Sequence, residues 1–287
     1  MTFSDEKNKI ESGALYLVAT PIGNLADMSE RAKKVLSEVD FIAAEDTRNS
    51  GKLLNVFGIK KPMISYFEHN KYARGDEIIA KIKSGDSCAL ITDAGMPAIS
   101  DPGEDIVKMC RESGIPVYVV PGPCAAVSAL ALSGLSTRKF VFEGFLSSKK
   151  SERRRELGKL SSETRTIIFY EAPHRLAETL TDMLDVLGDR KISICRELTK
   201  INEETVLTTL SDAVKYYASN EPRGEYVLVV EGASDDADDD GSFADMSIAE
   251  HVAHYESRGM SLGDAMKACA RDRGVSKREI YAAVMKK

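Results

Sequence analysis

The sequence predicts an α/β protein with two lobes, followed by a small helical domain. From Ala14 onward, short apolar runs typical of strands alternate with stretches typical of helices, which favours a predominantly parallel sheet with crossover helices. A second run of strands and helices starts near residue 135, and only helical patterns follow residue 246. With 287 residues, the chain is long enough for about two domains. We expect an N-terminal lobe at 13–134, a C-terminal lobe at 135–232, an acidic linker at 233–245 and a helical domain at 246–287.

Five short runs of the N-terminal lobe are apolar enough for strands that are buried on both faces of a parallel sheet. They are 15–19, 41–44, 63–66, 89–91 and 117–120. Between these strands, helices are predicted at 29–37, 76–83 and 104–113. The alanine-rich run 125–132, which follows the turn-forming Pro121-Gly122-Pro123, predicts another helix.

The C-terminal lobe repeats the alternation of strands and helices. Its strands are predicted at 140–142, 166–170, 192–195, 206–208 and 226–230. Its helices are predicted at 152–160, 174–186 and 212–219. We therefore expect two α/β lobes that meet near residue 135.

The last part of the chain begins with a strongly acidic segment. Six of its residues between Asp235 and Asp245 are aspartates and its one large apolar residue is Phe243, so it buries too little to order itself and is predicted to be a linker. Beyond it, Ser247 with Glu250 and Ser276 with Glu279 have the spacing of capping boxes. Three short helices are predicted there, and they are typical of a helix-turn-helix module.

Charge is distributed unevenly along the chain. Without the six aspartates of the linker, acidic and basic residues are equal in number, although the whole chain carries a net charge of -6. Basic residues concentrate at 145–160 and again after residue 246, which is the pattern that a polyanionic partner would require. Solvated helix faces, with arginines paired to neighbouring glutamates, would give the same pattern.

Several protein classes are excluded or disfavoured by what the sequence lacks. No apolar run approaches the roughly 18 residues of a membrane span, and the polar start has no signal peptide, so we expect a cytoplasmic protein. The five scattered cysteines favour buried reduced thiols over disulfides or zinc. Neither dinucleotide-binding nor P-loop glycine motifs occur, and the isolated His69 and His174 suggest no metal site.

Unusual residues follow four of the predicted strands directly. In an open parallel sheet these loops share one edge, and ligands bind at that edge. Glycine and proline that merely end strands would account for any single loop, but four such loops favour a binding site. The loops contain Thr20-Pro-Ile-Gly-Asn24, Glu45-Asp-Thr-Arg48, Thr92-Asp-Ala-Gly-Met-Pro97 and Pro121-Gly-Pro123.

Six motifs in order resemble the ribosomal RNA small-subunit methyltransferase I family of the tetrapyrrole methylases. They are Leu17-Val-Ala-Thr-Pro-Ile-Gly-Asn-Leu25, Ala44-Glu-Asp-Thr-Arg48, Thr92-Asp-Ala-Gly-Met-Pro-Ala-Ile-Ser-Asp-Pro-Gly103, Phe169-Tyr-Glu-Ala-Pro-His-Arg175, Arg196-Glu-Leu-Thr-Lys200 and Gly224-Glu-Tyr-Val-Leu-Val-Val-Glu-Gly232. The resemblance implies two α/β lobes that hold S-adenosylmethionine in the cleft between them, usually as a homodimer. It also implies methyl transfer to the ribose 2'-hydroxyl of a cytidine in the decoding centre of small-subunit (16S) ribosomal RNA.

The resemblance further implies which residues contact the cofactor. Met96 stands where relatives have an aspartate, so contacts through the backbone are the safer expectation there. Ser147, where the family more often has proline, is a departure from which we expect little consequence. The implied cofactor residues are Pro21, Ile22, Gly95, Met96, Pro97, Ile99, Cys124, Ala125, Glu171 and Glu225.

A ribose hydroxyl is a weak nucleophile, so a carboxylate that accepts its proton would assist the transfer. Asp46, Glu45 and Asp93 are candidates because each follows a predicted strand at the edge where the cofactor is expected. Each could instead cap a helix or pair with Arg48, and His174 could equally cap the helix that follows it. Basic side chains expected to contact RNA are Arg48, Lys149, Lys150, Arg153, Arg154, Arg155, Arg175 and Arg196.

Two other functions remain open at this point. A methyltransferase that acts on small tetrapyrroles shares the fold, but a compact macrocycle requires neither the basic stretch nor the appended helices. A DNA-binding regulator would need a basic recognition helix, and Lys277 with Arg278, together with Lys286 and Lys287, offers a modest one.

Overall fold

The structure, a computed structural model, describes residues 9–234, 246–257 and 260–284. The chain divides into two compact units, one ending at Gly232 and the other beginning at Ala233. The first unit contains two five-stranded sheets, and the second contains three helices. Most of the predicted acidic linker, together with Lys286 and Lys287, lies outside the described residues.

The first sheet is parallel throughout, as predicted. Its strands lie in the order β3-β2-β4-β1-β5, so β4 is the central strand, β1 lies between β4 and the edge strand β5, and every connection crosses over. The strands are β1 (Leu15–Val18), β2 (Phe41–Ala44), β3 (Met63–Ser65), β4 (Cys88–Ile91) and β5 (Val117–Val120).

Helices cover both faces of this sheet, as the uniformly apolar strands require. Tyr16 and Val18 pack with the first two helices, whereas Leu15 packs with the third and fourth on the opposite face. The helices are α1 (Glu30–Glu38), α2 (Thr47–Val56), α3 (Lys71–Lys83) and α4 (Gly103–Glu112). Helix α2 was not among the helices predicted from the sequence. Asp46 caps its first turn.

The second sheet corrects the expectation of a predominantly parallel arrangement. Its order is β6-β7-β10-β8-β9; only β6 and β7 are parallel, and the other three pairs are antiparallel. Apolar strand runs do not distinguish the two arrangements, because both faces of this sheet are covered too. The strands are β6 (Phe140–Phe145), β7 (Thr166–Glu171), β8 (Lys191–Arg196), β9 (Glu204–Thr209) and β10 (Tyr226–Val230).

One face of the second sheet packs against a helix that precedes the predicted boundary between the lobes. In α5 (Ala125–Leu132), Ala126, Ala129 and Leu130 contact the buried side chains of Ile168 and Val229. The opposite face is covered by α6 (Lys150–Lys159), α7 (Leu176–Leu187) and α8 (Leu210–Tyr217). Helix α5 therefore belongs to the core of the second sheet.

The second unit contains α9 (Ile248–Ser257), α10 (Leu262–Asp272) and α11 (Lys277–Val284). Both predicted capping boxes form: the carboxylates of Glu250 and Glu279 each accept a hydrogen bond from the backbone N–H of the serine three residues earlier, whose hydroxyl accepts one from the backbone N–H of the glutamate. Gly274, at φ +62°, follows the end of α10. The helices enclose a small core of their own that contains Val252, Met266, Cys269 and Ile280.

The structure also describes the surroundings of the cysteines, which the sequence predicted to be buried reduced thiols. All five cysteines are free thiols, and four of them are buried. Burial raises the pKa of the Cys110 thiol to about 11, so it stays protonated and packs as an apolar side chain. Among the helices that the structure describes, none has the length and apolar character that a membrane span requires.

Candidate active site in the cleft between the sheets

A cavity of about 470 Å³ lies between the two sheets of the first unit. Loops that follow β1, β2 and β4 form one wall. The other wall is formed by the start of α5, the C-terminal ends of β7 and β8, and the start of β10. The lining residues are Ile22, Glu45, Thr92, Ala94, Gly95, Met96, Ile99, Ser100, Asp101, Cys124, Ala125, Phe145, Tyr170, Glu171, Ala172, Pro173, His174, Cys195, Leu198, Glu225, Tyr226 and Val227.

The loops after β1 and β4 are joined directly to each other. Thr20 and Gly95 exchange two backbone hydrogen bonds, of 2.9 and 3.1 Å. Gly95 has φ +85°, and a Cβ atom there would lie 3.3 Å from Cγ2 of Ile22. Glycine at this position therefore keeps the wall of the cavity open where the two loops meet.

The loop after β4 continues in a backbone conformation that side chains rarely adopt. Ala98 and Ser100 both have φ +67°. The Oδ1 atom of Asp101 holds this loop by accepting hydrogen bonds from the backbone N–H groups of Ala98, at 3.0 Å, and Gly103, at 2.7 Å. Strained loops of this kind concentrate at functional sites.

Glu171 has a structural role on the opposite wall. Its buried carboxylate accepts hydrogen bonds from the backbone N–H of Ala172, at 2.8 Å, and from the hydroxyl of Thr179, at 2.6 Å. Nε of Arg175 lies 3.4 Å from Oε1 of Glu171, and Nη2 of Arg175 donates to the carbonyl of Leu146. Both carboxylate oxygens of Glu171 are therefore engaged within the chain.

Three carboxylates were candidates for the proton acceptor, and the structure separates them. Glu45 lines the cavity, and its Oε2 accepts a hydrogen bond of 2.7 Å from the hydroxyl of Thr92. Asp93 is exposed, lies outside the lining and accepts a hydrogen bond from Asn49. Of the three carboxylates, Glu45 alone faces the cavity.

Asp46 has the alternative role that the sequence left open. Its carboxylate caps α2 by accepting from the backbone N–H of Arg48, at 2.8 Å, and it pairs with the guanidinium of the same residue. The hydrogen bonds from Arg48 lower the pKa of Asp46 to about 2. A carboxylate stabilised in this way is a poor proton acceptor, and Asp46 does not line the cavity.

Residues 14–214 match the tetrapyrrole (corrin/porphyrin) methylase family model. The ribosomal RNA small subunit methyltransferase I of Bacillus subtilis is 48% identical over 96% of this chain and 95% of its own length. That of Synechocystis is 46% identical over 94% of this chain and 96% of its own. The chain belongs to the ribosomal RNA small subunit methyltransferase I family. Membership makes it a methyltransferase with S-adenosylmethionine as its methyl donor.

A solved structure shares the fold of this family member. Uroporphyrin-III C-methyltransferase from Thermus thermophilus, determined in complex with S-adenosylhomocysteine, has a TM-score of 0.55 and 17% sequence identity. The match covers 76% of this chain and 97% of that one. The two-lobed tetrapyrrole-methylase fold expected from the sequence is thereby confirmed, as are the helices that follow it.

The lining of the cavity combines acidic and apolar side chains. Among the lining residues described, four have carboxylates, namely Glu45, Asp101, Glu171 and Glu225, and none is a lysine or an arginine. Two of these carboxylates have cationic neighbours within the chain, because Glu171 lies beside Arg175 and Glu225 pairs with Lys200. Apolar side chains such as that of Leu198 complete the lining.

Most of the residues that the resemblance implied for the cofactor lie at this cavity. Pro21 and Pro97 do not line it, although each is adjacent in sequence to a residue that does. The side chain of Glu225 is paired with Lys200, whose Nζ lies 2.8 Å from its Oε2. The lining members are Ile22, Gly95, Met96, Ile99, Cys124, Ala125, Glu171 and Glu225.

Asp101 is a residue of the cavity that sequence reasoning did not single out. While its Oδ1 holds the loop, Oδ2 is buried and has no hydrogen-bond partner in the part of the chain that the structure describes. Burial, with a smaller effect of the nearby Glu45 charge, raises the pKa of Asp101. The Asp-Pro-Gly sequence at 101–103 resembles an ordinary turn before a helix. The one sequence feature that could have indicated a role for Asp101 is its closeness to Gly95 along the chain.

The basic residues expected to contact RNA divide into buried and exposed groups. Arg153 is 1% exposed, and its Nη2 pairs with Oδ2 of Asp182 at 2.8 Å, so its expected contact with phosphate is contradicted. Arg154 is also engaged, with Asp182 and Asp185. Arg153 and Arg154, which are adjacent on α6, are therefore both paired with acidic side chains of the chain itself.

Of the basic residues expected to contact RNA, several have side chains that are exposed to solvent. Arg48 is 86% exposed despite its pairing with Asp46, and Lys149, Lys150 and Arg155 lie on the surface at α6. Arg196 pairs with Glu204 at 3.2 Å. Residues that sequence reasoning grouped by charge are therefore separated by their burial.

Proposed function

We propose that this methyltransferase transfers the methyl group of S-adenosylmethionine to the ribose 2'-hydroxyl of a cytidine in the decoding centre of small-subunit ribosomal RNA. The observation that carries the proposal is the Glu45 carboxylate, which faces the cavity and is oriented by Thr92. Supporting this proposal are the names of the relatives, which act on small-subunit ribosomal RNA, and the exposed basic residues near α6.

When bound, S-adenosylmethionine supplies a methyl group on a positively charged sulfur, and transfer to a hydroxyl leaves a neutral thioether and releases one proton. The chain must hold the ribose oxygen in line with that methyl group, and positioning of this kind can contribute about 7–11 kcal/mol to lowering a barrier. Glu45 accepts the proton of the hydroxyl in our proposal, and Thr92 keeps its carboxylate turned toward the cavity.

The cofactor contacts in this proposal are those carried over from the family. The loop around Gly95 and Met96 offers backbone groups, and the small residues Cys124 and Ala125 at the start of α5 leave room for the adenosine. Pro21 and Pro97 contribute by fixing the loops of their neighbours. Glu171 and Glu225 stand beside the adenine, where Glu171 is held by its own hydrogen bonds.

The RNA surface that we propose is smaller than the basic stretch of the sequence. Arg48, Lys149, Lys150 and Arg155 are exposed and can reach phosphate oxygens. Arg175 and Arg196 remain in the proposal at the edge of the cleft, although each has a partner within the chain. Arg153 is left out because it is buried.

A homodimer is part of the proposal, because one surface of the first unit is exposed and apolar. Val127 and Leu132 of α5 are exposed, as are Val206 and Leu207 of the edge strand β9. A Cβ atom on Gly134, just after α5, would lie 3.6 Å from Leu207, so the two groups adjoin. Contiguous exposed apolar residues of this kind are typical of protein interfaces. Sedimentation of the wild type and of Leu207→Glu tests this part: a monomeric wild type would contradict it.

The direct test of the function is transfer of a tritiated methyl group from the cofactor to purified small ribosomal subunits, followed by mapping of the modified nucleotide. We expect one cytidine in the decoding centre to be labelled on its ribose. Label on a base, on another nucleotide or on a tetrapyrrole alone would contradict the proposal. Free ribosomal proteins and DNA serve as controls for other acceptors.

A further inference from the structure

Phe145 is a large apolar side chain that the core of the protein does not use. It ends strand β6, lines the cavity between the sheets and is 56% exposed. Its ring centroid lies 5.5 Å from that of Tyr170, which leaves much of the ring open. Burial of a phenylalanine is normally favourable, so an exposed phenylalanine ring at a cavity indicates a surface that binds a ligand or partner.

A β-bulge places Phe145 on the face that lines the cavity. Phe142 is paired with Ile168, but the next pair is Gly144 with Phe169, so Glu143 is the extra residue in β6. Phe145 lies three positions after Phe142, so in a regular strand, without a bulge, the two side chains would point to opposite faces of the sheet. With the bulge, both rings contact Tyr170, at 5.0 and 5.5 Å between centroids.

The bulge depends on a glycine and is held against the other wall of the cavity. Gly144 has φ +66°, a conformation that favours glycine, and a Cβ atom there would lie 3.1 Å from Oγ of Ser100. Ser100 belongs to the strained loop after β4, so the two loops meet at this point. Bulges commonly redirect side chains beside active sites.

Tyr170 provides a rigid backing for the exposed ring. Its hydroxyl oxygen accepts a hydrogen bond of 3.2 Å from the backbone N–H of Ala126 at the start of α5. Burial raises the pKa of Tyr170 to about 12, so the group stays neutral at physiological pH. The arrangement gives Phe145 one supported face and one that is open to the cavity.

We propose that Phe145 stacks on the base of the nucleotide whose ribose is methylated. This inference rests on the proposed function, in which the acceptor is an RNA nucleotide. Proteins that recognise RNA commonly stack an unpaired base on an aromatic side chain. Stacking here would hold the attached ribose near Glu45, which lines the same cavity.

Steady-state methylation of small ribosomal subunits by Phe145→Leu, Phe145→Tyr and Phe140→Leu tests the proposal. Phe140 is a matched control, because it lies in the same strand, is 42% exposed and does not line the cavity. We expect Phe145→Leu to lower kcat/KM for the subunits by roughly 10-fold or more, since stacking contributes that much per base. Phe145→Tyr retains a ring and should remain near wild type, and the affinity for S-adenosylhomocysteine should be unchanged in all three.

A second measurement detects stacking without turnover. The chain has no tryptophan, so Phe145→Trp introduces a single fluorophore at the cavity. Small-subunit ribosomal RNA stripped of its proteins, added with S-adenosylhomocysteine, should quench this fluorescence as the base stacks on the indole ring. Phe140→Trp should show no quenching under the same conditions.

The outcomes separate this inference from the function on which it rests. If wild type methylates the subunits but Phe145→Leu has unchanged kcat/KM, the stacking role is overturned and the function stands. If wild type does not methylate them, the proposed function fails, and the fluorescence titration still decides whether RNA contacts Phe145. Equal fluorescence changes in Phe145→Trp and Phe140→Trp would also overturn the inference.

Discussion

The hydroxyl of Thr92 donates a hydrogen bond of 2.7 Å to Oε2 of Glu45. The two residues are 47 positions apart in sequence, but each directly follows a strand, and the ends of those strands are paired through Ala44 and Ile91. Parallel pairing of β2 with β4 therefore brings them together at the edge of the sheet. The contact fixes the carboxylate of a residue that lines the cavity.

Glu45→Gln should reduce methyl transfer while leaving binding intact. The amide oxygen of the variant can still accept from Thr92, but the side chain can no longer take up a proton. We expect the single-turnover rate, at saturating cofactor and ribosomal subunits, to fall by roughly 100-fold or more. Asp93→Asn is the matched control and should keep the wild-type rate; an equal rate for Glu45→Gln would eliminate Glu45 as the acceptor.

Asp46→Asn should affect stability slightly and catalysis little. Asparagine caps a helix about as well as aspartate, so the variant mainly loses the charge that pairs with Arg48. Because that pairing lowers the pKa of Asp46 from 3.8 to about 2, its stabilisation is present at neutral pH and disappears as the pH falls through this interval. Thermal unfolding at several pH values measures the effect. A large loss of rate at unchanged stability would instead return Asp46 to the catalytic candidates.

Arg153→Met should destabilise the fold strongly. It removes the buried one of the two arginines that pair with the buried carboxylate of Asp182, the other being Arg154, and breaking a buried ion pair from one side costs up to about 3–5 kcal/mol. Arg155→Met, two positions away and exposed, should change the free energy of unfolding by less than about 0.5 kcal/mol. Urea denaturation followed by circular dichroism compares the two. Similar stabilities would show that the Asp182 pair contributes little.

Neutralising Lys149, Lys150 and Arg155 should weaken RNA binding and its dependence on salt. Each phosphate contact that is lost lowers the slope of log affinity against log salt concentration by about 0.7–0.9, because fewer counterions are released. Binding of small-subunit ribosomal RNA at several salt concentrations measures this slope, and affinity for the cofactor should not change.

The control for that experiment is a variant with the same change of net charge. Lys34, Lys83 and Lys108 are exposed residues of α1, α3 and α4, and replacing them with alanine should leave the slope near that of wild type. Identical slopes for both triple variants would favour α6 as an ordinary solvated helix.

Cys124→Trp should abolish binding of the cofactor. Cys124 lines the cavity at the first turn of α5, where an indole ring would occupy the space proposed for the adenosine. Isothermal titration with S-adenosylhomocysteine should detect no binding, whereas Cys124→Ala should bind like wild type. Circular dichroism checks that both variants are folded, and unchanged affinity of Cys124→Trp would remove Cys124 from the site.

Local patterns were sufficient for many elements of this protein. The five apolar runs of the N-terminal lobe predicted β1 to β5, and their alternation with helical stretches predicted the parallel pairing, because a crossover helix returns the chain to the same edge of the sheet. The spacing of Ser247 and Glu250 likewise predicted a helix start, since a capping box involves groups only three residues apart. Glu45 was among the candidates because it directly follows a strand.

Other features depend on contacts between distant residues. The antiparallel pairing of β10 with β7 and β8 could not be read from apolar strands that fit either direction. Nothing around Arg153 distinguishes it from Arg155, because its partner, Asp182, lies 29 positions away on another helix. The choice of Glu45 over Asp46 likewise depended on which carboxylate faced the cavity.

Neighbouring residues along the chain encode the family motifs, the alternation of strands and helices, and the loops from which the site is built. Which members of those loops line the cavity, and which basic residues are buried, depends on packing between elements that are distant in the chain. The pairing of β6 with β7 also decides the direction of Phe145, because one extra residue in β6 reverses the face to which the strand's next side chains point. Burial and orientation result from pairing across the fold, and side chains of the same type acquire different roles through it.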